Sequence, residues 1–142
     1  MKLPDTNVLL NAVNERLPQH SVAVNWLAEA YASPTGLGFA WVALLGFVRL
    51  ATRQGILEKP LPIDEALRLV HDWLAHPRAR VLHPTERHEP LLGRLLRTAG
   101  TAGNLTNDAH LAALAIEHGA TLVSFDRDFE RFAGLRFERL RA

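Results

Sequence analysis

Apolar positions along the chain follow two signatures: short unbroken runs of three or four, and longer stretches at helical spacing. Short runs bounded by turn residues read as buried strands, and recurrence at i, i+3 and i+4 reads as helix. Lys2–Pro4 is the first expected strand, ending at Asp5, and Pro4 is tolerable at a strand end. Residues 7–13 read as a short helix. A second helix is expected over residues 21–32, with Ser21 as its N-cap and Val24, Leu27 and Tyr31 facing the core. Ser33-Pro34-Thr35-Gly36 breaks that helix, and Leu37–Phe39 follows as a buried strand.

Residues 41–53 form a strongly apolar helix closed by Gly55, with Pro60 and Pro62 beyond it. Residues 64–75 are amphipathic, with Ala66, Leu69, Val70 and Trp73 on one side. A strand is expected at 80–82, then a helix at 86–98 with Leu91, Leu92, Leu95 and Leu96 inward. After a loop at 100–103, residues 106–118 read as an alanine-rich helix ended by Gly119 as a left-handed C-cap. A strand at 121–123, a helical turn at 129–132 and a final strand at 135–140 complete the pattern.

Helices between strands imply crossover connections, and crossovers imply parallel pairing. The expected fold is therefore α/β: a mainly parallel central sheet of four or five short strands, with helices on both faces. At 142 residues, and with no repeat or linker, residues 1–142 are expected to form one domain. Ligands of such sheets bind beyond the carboxyl ends of the strands.

Composition narrows the picture. The chain is 48% hydrophobic and 22% charged, which argues against disorder and fibres. It has no cysteine, which removes disulfides, thiolate catalysis and Cys-type zinc sites. No long apolar region follows Lys2, and the longest apolar stretch, 36–48, is too short for a bilayer. A soluble cytoplasmic protein with no membrane partner is expected. The net charge of +1 says little about partners. Of 16 basic residues, only Lys2 and Lys59 are lysine. Arginine forks match phosphate oxygens, although codon bias explains the same excess. Arg49 and Arg53 fall four apart on one expected helix, and Arg94 and Arg97 three apart on another. Solvated helix faces account for these pairs equally well, so none is assigned to substrate.

Three aspartates sit where the strand-end rule points. Asp5 follows the first strand, Asp126 follows the strand at 121–123, and Asp108 lies in the first turn of the helix at 106–118. Each has a local explanation: a cap, a favourable charge at a helix start, a turn residue. Their joint placement at one sheet edge is what carries chemistry. Two carboxylates about 4 Å apart repel by about 4 kcal/mol at an effective dielectric near 20. Either their pKa values rise or a cation neutralises them. All-oxygen sites select Mg2+ or Mn2+, and such sites perform phosphoryl transfer.

The segment Asp5-Thr6-Asn7-Val8-Leu9-Leu10 resembles the opening motif of PIN-domain nucleases. The segment from Thr106-Asn107-Asp108 through Ser124-Phe125-Asp126-Arg127-Asp128-Phe129 is similar to the family's closing segment. Order, spacing and length are similar to the VapC toxins of bacterial toxin–antitoxin pairs, over residues 1 to about 132. The resemblance implies a PIN-like three-layer fold and an endoribonuclease dependent on Mg2+ or Mn2+. It also implies a homodimer inhibited by a small antitoxin. It makes Asp5, Asp108 and Asp126 the metal-binding acids, with Asn7, Ser124 and Asp128 in support.

One position departs from the family. Most members carry a glutamate three residues before an arginine on the third helix, where this chain has Gly46 before Arg49. Water, or a carboxylate of Glu86, Glu89 or Asp128, is the available replacement. A catalytically weakened RNA- or antitoxin-binding protein is therefore the alternative reading. A phosphoacceptor receiver domain is disfavoured because the last lysine is Lys59. A haloacid-dehalogenase-like phosphatase is disfavoured because Asp5-Thr6-Asn7 lacks a second acid. Among the histidines, His110 lies near Asp108 but reads as an ordinary helix residue, and His118 suits a last helical turn.

Overall fold

A computed structural model describes residues 1–100 and 105–141. Its element order is β1 (Lys2–Pro4), α1 (Thr6–Ala12), α2 (His20–Ala32), β2 (Leu37–Phe39), α3 (Trp41–Ala51), α4 (Ile63–Ala75), β3 (Ala79–Val81), α5 (His88–Ala99), α6 (Thr106–Glu117), β4 (Thr121–Ser124), a 3-10 turn (Arg127–Arg131) and β5 (Arg136–Arg139). Apart from Gly100, the loop expected at 100–103 lies outside the described residues.

The five strands form one sheet in the order β3-β2-β1-β4-β5, and every pairing is parallel. The chain steps outward from β1 to β2 to β3, then returns to the other side of β1 for β4 and β5. Right-handed crossovers that reverse direction place their helices on opposite faces. The two cores follow that rule. One packs α1 to α4 against the sheet around Val8, Leu9, Phe39, Leu44, Phe47 and Trp73. The other packs α5 and α6 around Leu3, Leu82, Leu95, Leu114, Leu122 and Phe129. Strands covered on both faces need apolar residues on both, which is why these runs do not alternate. The reversal leaves a crevice between β1 and β4 at their carboxyl ends.

Several boundaries differ from expectation for local reasons. Helix α2 starts at His20 with Gln19 before it, so Ser21 lies inside the helix and caps nothing. Its buried residues are Ala23, Trp26 and Ala30, one position off the expected Val24, Leu27, Tyr31 face. Burying the indole of Trp26 rotates the helix, and the other three side chains line a groove against α4. Helix α3 ends at Ala51 because Thr52 turns its hydroxyl back to the Val48 carbonyl at 2.7 Å. Arg53 thus stands outside the helix. Trp41 and Leu45 of α3 are 45% and 60% exposed, while Ala43, Leu44, Phe47 and Ala51 are buried. Gly119 has φ +64°, the left-handed geometry expected after α6. No helix among the described residues is long and apolar enough to cross a membrane.

Glu117, at the end of α6, has a fully buried side chain. Its carboxylate accepts bonds from the Thr85 amide (2.8 Å) and hydroxyl (2.6 Å) and pairs with His88 Nδ1. Burial pushes its pKa up, but these bonds outweigh burial and hold it below the usual glutamate value. His88 Nε2 meets His110 Nδ1 at 2.9 Å. The chain ties the start of α5 to α6.

Candidate active site

Because β1 and β4 are hydrogen-bonded neighbours, the residues that follow them emerge side by side. The Asp5 amide donates to the Val123 carbonyl at 2.9 Å, continuing the ladder one residue past β1. Asp5 also caps α1, its Oδ1 accepting from the Thr6 amide at 2.7 Å. Ser124, the last residue of β4, is completely buried. Its hydroxyl donates to Asp5 Oδ2 at 2.8 Å and accepts from Asn7 Nδ2 and the Asp126 amide, both at 3.0 Å. Asn7 Oδ1 accepts from the Phe125 amide at 3.2 Å. One hydroxyl offers one donor and two acceptors, and here all three are used. The two motif segments, more than a hundred residues apart in sequence, are joined at that atom.

Helix α6 brings the third acid. Asp5 and Asp108 line one cleft of about 230 Å³, together with Thr6, Gly46, Arg49 and Asn107. Asp126 is not on its wall, but its charge reaches both other acids. Its Oδ1 accepts from the Asp128 amide at 2.9 Å and so caps the 3-10 turn. Asp128 pairs with Arg131 at 3.6 Å.

Like charge and burial act on these acids together. Burial raises the pKa of Asp5, and the Asp126 charge adds to it, against the lowering bonds from Ser124 and Thr6. Asp108 is pushed up to about 6, first by burial and then by the charges of Asp5, Asp126 and Asp128, with Arg131 opposing. Among the described residues, no three His, Cys, Asp or Glu side chains converge as a ready-made metal shell. The donor set still suits a hard cation. Mg2+ needs only one or two protein carboxylates, keeps several waters and takes substrate phosphate as a further ligand. Two oxygen-bearing acids on one cleft wall, with a third acid's charge behind them, meet that requirement.

Gly46 sits on the same cleft, so the absent family glutamate is missing from the site itself. A β-carbon at Gly46 would stand 2.5 Å from Thr6 Oγ1, which donates to the Ala43 carbonyl at 2.9 Å. The Thr6 hydroxyl thus closes the wall where a side chain would begin. Of the three acids considered as replacements, only Asp128 acts on Asp108. Glu89 lines a separate surface hollow with Pro90 and Arg97, and Glu86 is exposed before α5.

The ring of His110 packs on His88, with centroids 4.7 Å apart, so it bonds toward α5. His118 follows the end of α6, and its Nε2 meets the His83 carbonyl at 2.8 Å. Sequence reasoning missed Thr6 and Arg131 as parts of the site. Thr6 had a signal, its place inside the opening motif. Arg131 had none, because its proximity to Asp108 depends on how the 3-10 turn folds back.

A parallel sheet whose adjacent central strands end in acids, joined by a third acid from a helix start, defines an α/β carboxylate-site protein. The PIN domain family model matches residues 2–135. Ribonuclease VapC37 of Mycobacterium tuberculosis is 51% identical over 139 residues, covering 98% of this chain and 96% of that protein. Ribonuclease VapC33 of the same organism is 41% identical, covering 96% of each. Among solved structures, VapBC2 from Rickettsia felis, bound to a promoter DNA fragment, matches with TM-score 0.72 and 21% identity over 99% of this chain and 98% of that chain. Mycobacterium tuberculosis VapC20, described as a sarcin–ricin loop cleaving toxin, matches with TM-score 0.70 and 20% identity over 96% of this chain and 99% of that one. The chain belongs to the PIN domain family, in its branch of VapC ribonucleases.

Proposed function

We propose that this ribonuclease hydrolyses RNA phosphodiester bonds at a site where Asp5, Asp108 and Asp126 hold Mg2+ or Mn2+, and that it is the toxin of a toxin–antitoxin pair. The supporting observation is the shared cleft of Asp5 and Asp108, whose carboxylates are too close to like charge and too buried to ionise freely. A divalent ion there supplies positive charge against the phosphate and lowers the pKa of water at the site.

The protein's own contribution is position. Ser124 and the Thr6 amide fix the two oxygens of Asp5, so its carboxylate cannot swing away. Asn7 holds the Ser124 hydroxyl and the Phe125 amide, fixing the turn that carries Asp126. The Asp128 amide donates to Asp126 Oδ1, and the Asp128 carboxylate adds negative charge at Asp108. Asp108, pushed up to about 6 by burial and by its acidic neighbours, gains most from a cation that offsets their charge.

The partner reading rests on structural neighbours that are toxin–antitoxin assemblies, including VapBC2 and a complex from Klebsiella pneumoniae. A small antitoxin is the inhibitory partner in this reading. Homodimer formation is part of the same proposal, supported by exposed Trp41 and Leu45 one turn apart on α3.

The test is RNA cleavage by the purified protein with Mg2+ or Mn2+. Asp5→Asn and Asp108→Ala should each abolish cleavage, as should EDTA. Full activity in either variant would refute the assignment. A second reading, a weakened protein that binds RNA or antitoxin without cutting, is favoured by the missing acid at Gly46. Metal-independent RNA binding with no cleavage by the wild type would select it.

A further inference from the structure

The acid cleft has a wall that the metal-site reading does not use. Helix α3 supplies Val42, Ala43, Gly46, Arg49 and Leu50 to the cleft, and Arg49 is the one charged side chain in that set. Asp5 and Asp108 are the acids that line the same cleft. Arg49 is exposed and joins none of the ion pairs among the described residues. Arg131, the arginine whose charge reaches Asp108, is engaged by Asp128 at 3.6 Å.

The local packing explains why Arg49 has room. One turn before it, Gly46 contributes no side chain, and the Thr6 hydroxyl fills the space beside it. Backbone and hydroxyl form the wall there, so among the α3 residues that line the cleft Arg49 carries the one long polar side chain. An unpaired cation beside two acids neither neutralises them by contact nor is neutralised by them. A phosphodiester entering the cleft carries a negative charge that the acids repel, and a guanidinium offers it two parallel donors.

We infer that Arg49 binds a phosphate of the RNA strand in the Asp5–Asp108 cleft and forms the cationic wall of the substrate channel. This rests on the nuclease reading for the identity of the ligand and on the cleft geometry for the residue. Arg53, outside α3 and absent from the cleft, is the internal control.

The experiment measures binding of a fluorescent single-stranded RNA oligonucleotide by anisotropy, in EDTA, with Asp108→Asn as the parent. That substitution removes cleavage and one repelling charge. Adding Arg49→Ala should weaken binding about tenfold or more, the scale of one charge-assisted contact. It should also reduce the slope of log affinity against log salt by about 0.7. Arg49→Lys should restore the salt slope but only part of the affinity, because a point charge replaces a fork. Arg53→Ala should change neither quantity.

Unchanged affinity and slope in Arg49→Ala would overturn the inference, and so would an equal loss in Arg53→Ala, which marks diffuse surface attraction. If wild type cleaves no RNA while Arg49→Ala still loses binding selectively, the nuclease reading fails and the phosphate assignment stands. If wild type cleaves RNA and Arg49→Ala binds and cleaves normally, the phosphate assignment alone fails.

Discussion

Thr6 of α1 lies directly against Gly46 of α3: the threonine Oγ1 is 2.5 Å from where a glycine β-carbon would be. The same hydroxyl bonds the Ala43 carbonyl, so it holds α3 against the start of α1 beside Asp5. With glycine at position 46, this cleft has no acid on its α3 wall.

Gly46→Ala should reveal that contact. The substitution gains about 1 kcal/mol of helix propensity. It must also displace the Thr6 hydroxyl, losing a bond of about 1 kcal/mol and adding about 1–3 kcal/mol of crowding. A net loss of ~1–3 kcal/mol is expected in urea denaturation. In a Thr6→Ala background the clash is gone, and Gly46→Ala should stabilise by up to about 1 kcal/mol. An identical cost in both backgrounds would show that the two residues do not oppose each other.

Ser124→Ala removes the hydroxyl that donates to Asp5 and accepts from Asn7 and the Asp126 amide. Leaving buried partners unsatisfied costs about 1–3 kcal/mol. The Asp5 pKa should rise further, since a bond that lowered it is lost. The pH at which metal-dependent cleavage begins should therefore move upward. A stability loss with an unmoved pH profile would assign Ser124 to structure alone.

In metal-free protein, Asp108 and Asp5 should contribute stability that is lost as pH rises through the acid range. Asp108 has its pKa raised from 3.8 to about 6, and Asp5 is raised as well. The folded state therefore binds more protons than the unfolded state between about pH 4 and 6, and its relative stability falls as those protons leave. His110, whose pKa is lowered mainly by burial and by His88, acts with the opposite sign as pH falls below 6.5. The difference in melting temperature between wild type and Asp108→Asn isolates the aspartate. The variant's advantage should grow from pH 4 to pH 7 and shrink again when Mg2+ is added at pH 7. A flat difference curve would contradict the raised pKa.

Glu117→Ala should destabilise by about 3 kcal/mol, the cost of breaking a buried charged network. The depressed pKa of Glu117 adds a wild-type signature: its contribution is complete above pH 4.5 and is lost as pH falls through the lower folded value. Glu117 lies nine residues from Asp108, about 13 Å along α6. Metal-dependent cleavage well below the melting temperature should survive. Loss of cleavage in a still-folded variant would link this network to the site.

Much of this protein is legible in its sequence because local rules decided it. Strand runs such as Leu37–Phe39, the left-handed Gly119 and the acids after β1 and β4 depend on neighbours a few residues away. The strand-end rule pointed to the edge where Asp5 and Asp126 emerge, and Asp5 shares a cleft there with Asp108 from the start of α6. Other features depend on which surfaces meet, and no local pattern encodes that. The rotation of α2 around Trp26, the turning of His110 toward His88, and the capture of Asp5 by Ser124 are set by packing between distant segments. So are the proximity of Arg131 to Asp108 and the placement of Arg49, not Arg53, in the cleft. The sequence determined which chemical groups exist and which strand ends carry them. Tertiary contact alone decided which of those groups share a space, because charge and hydrogen bonding act over ångströms, whatever the separation along the chain.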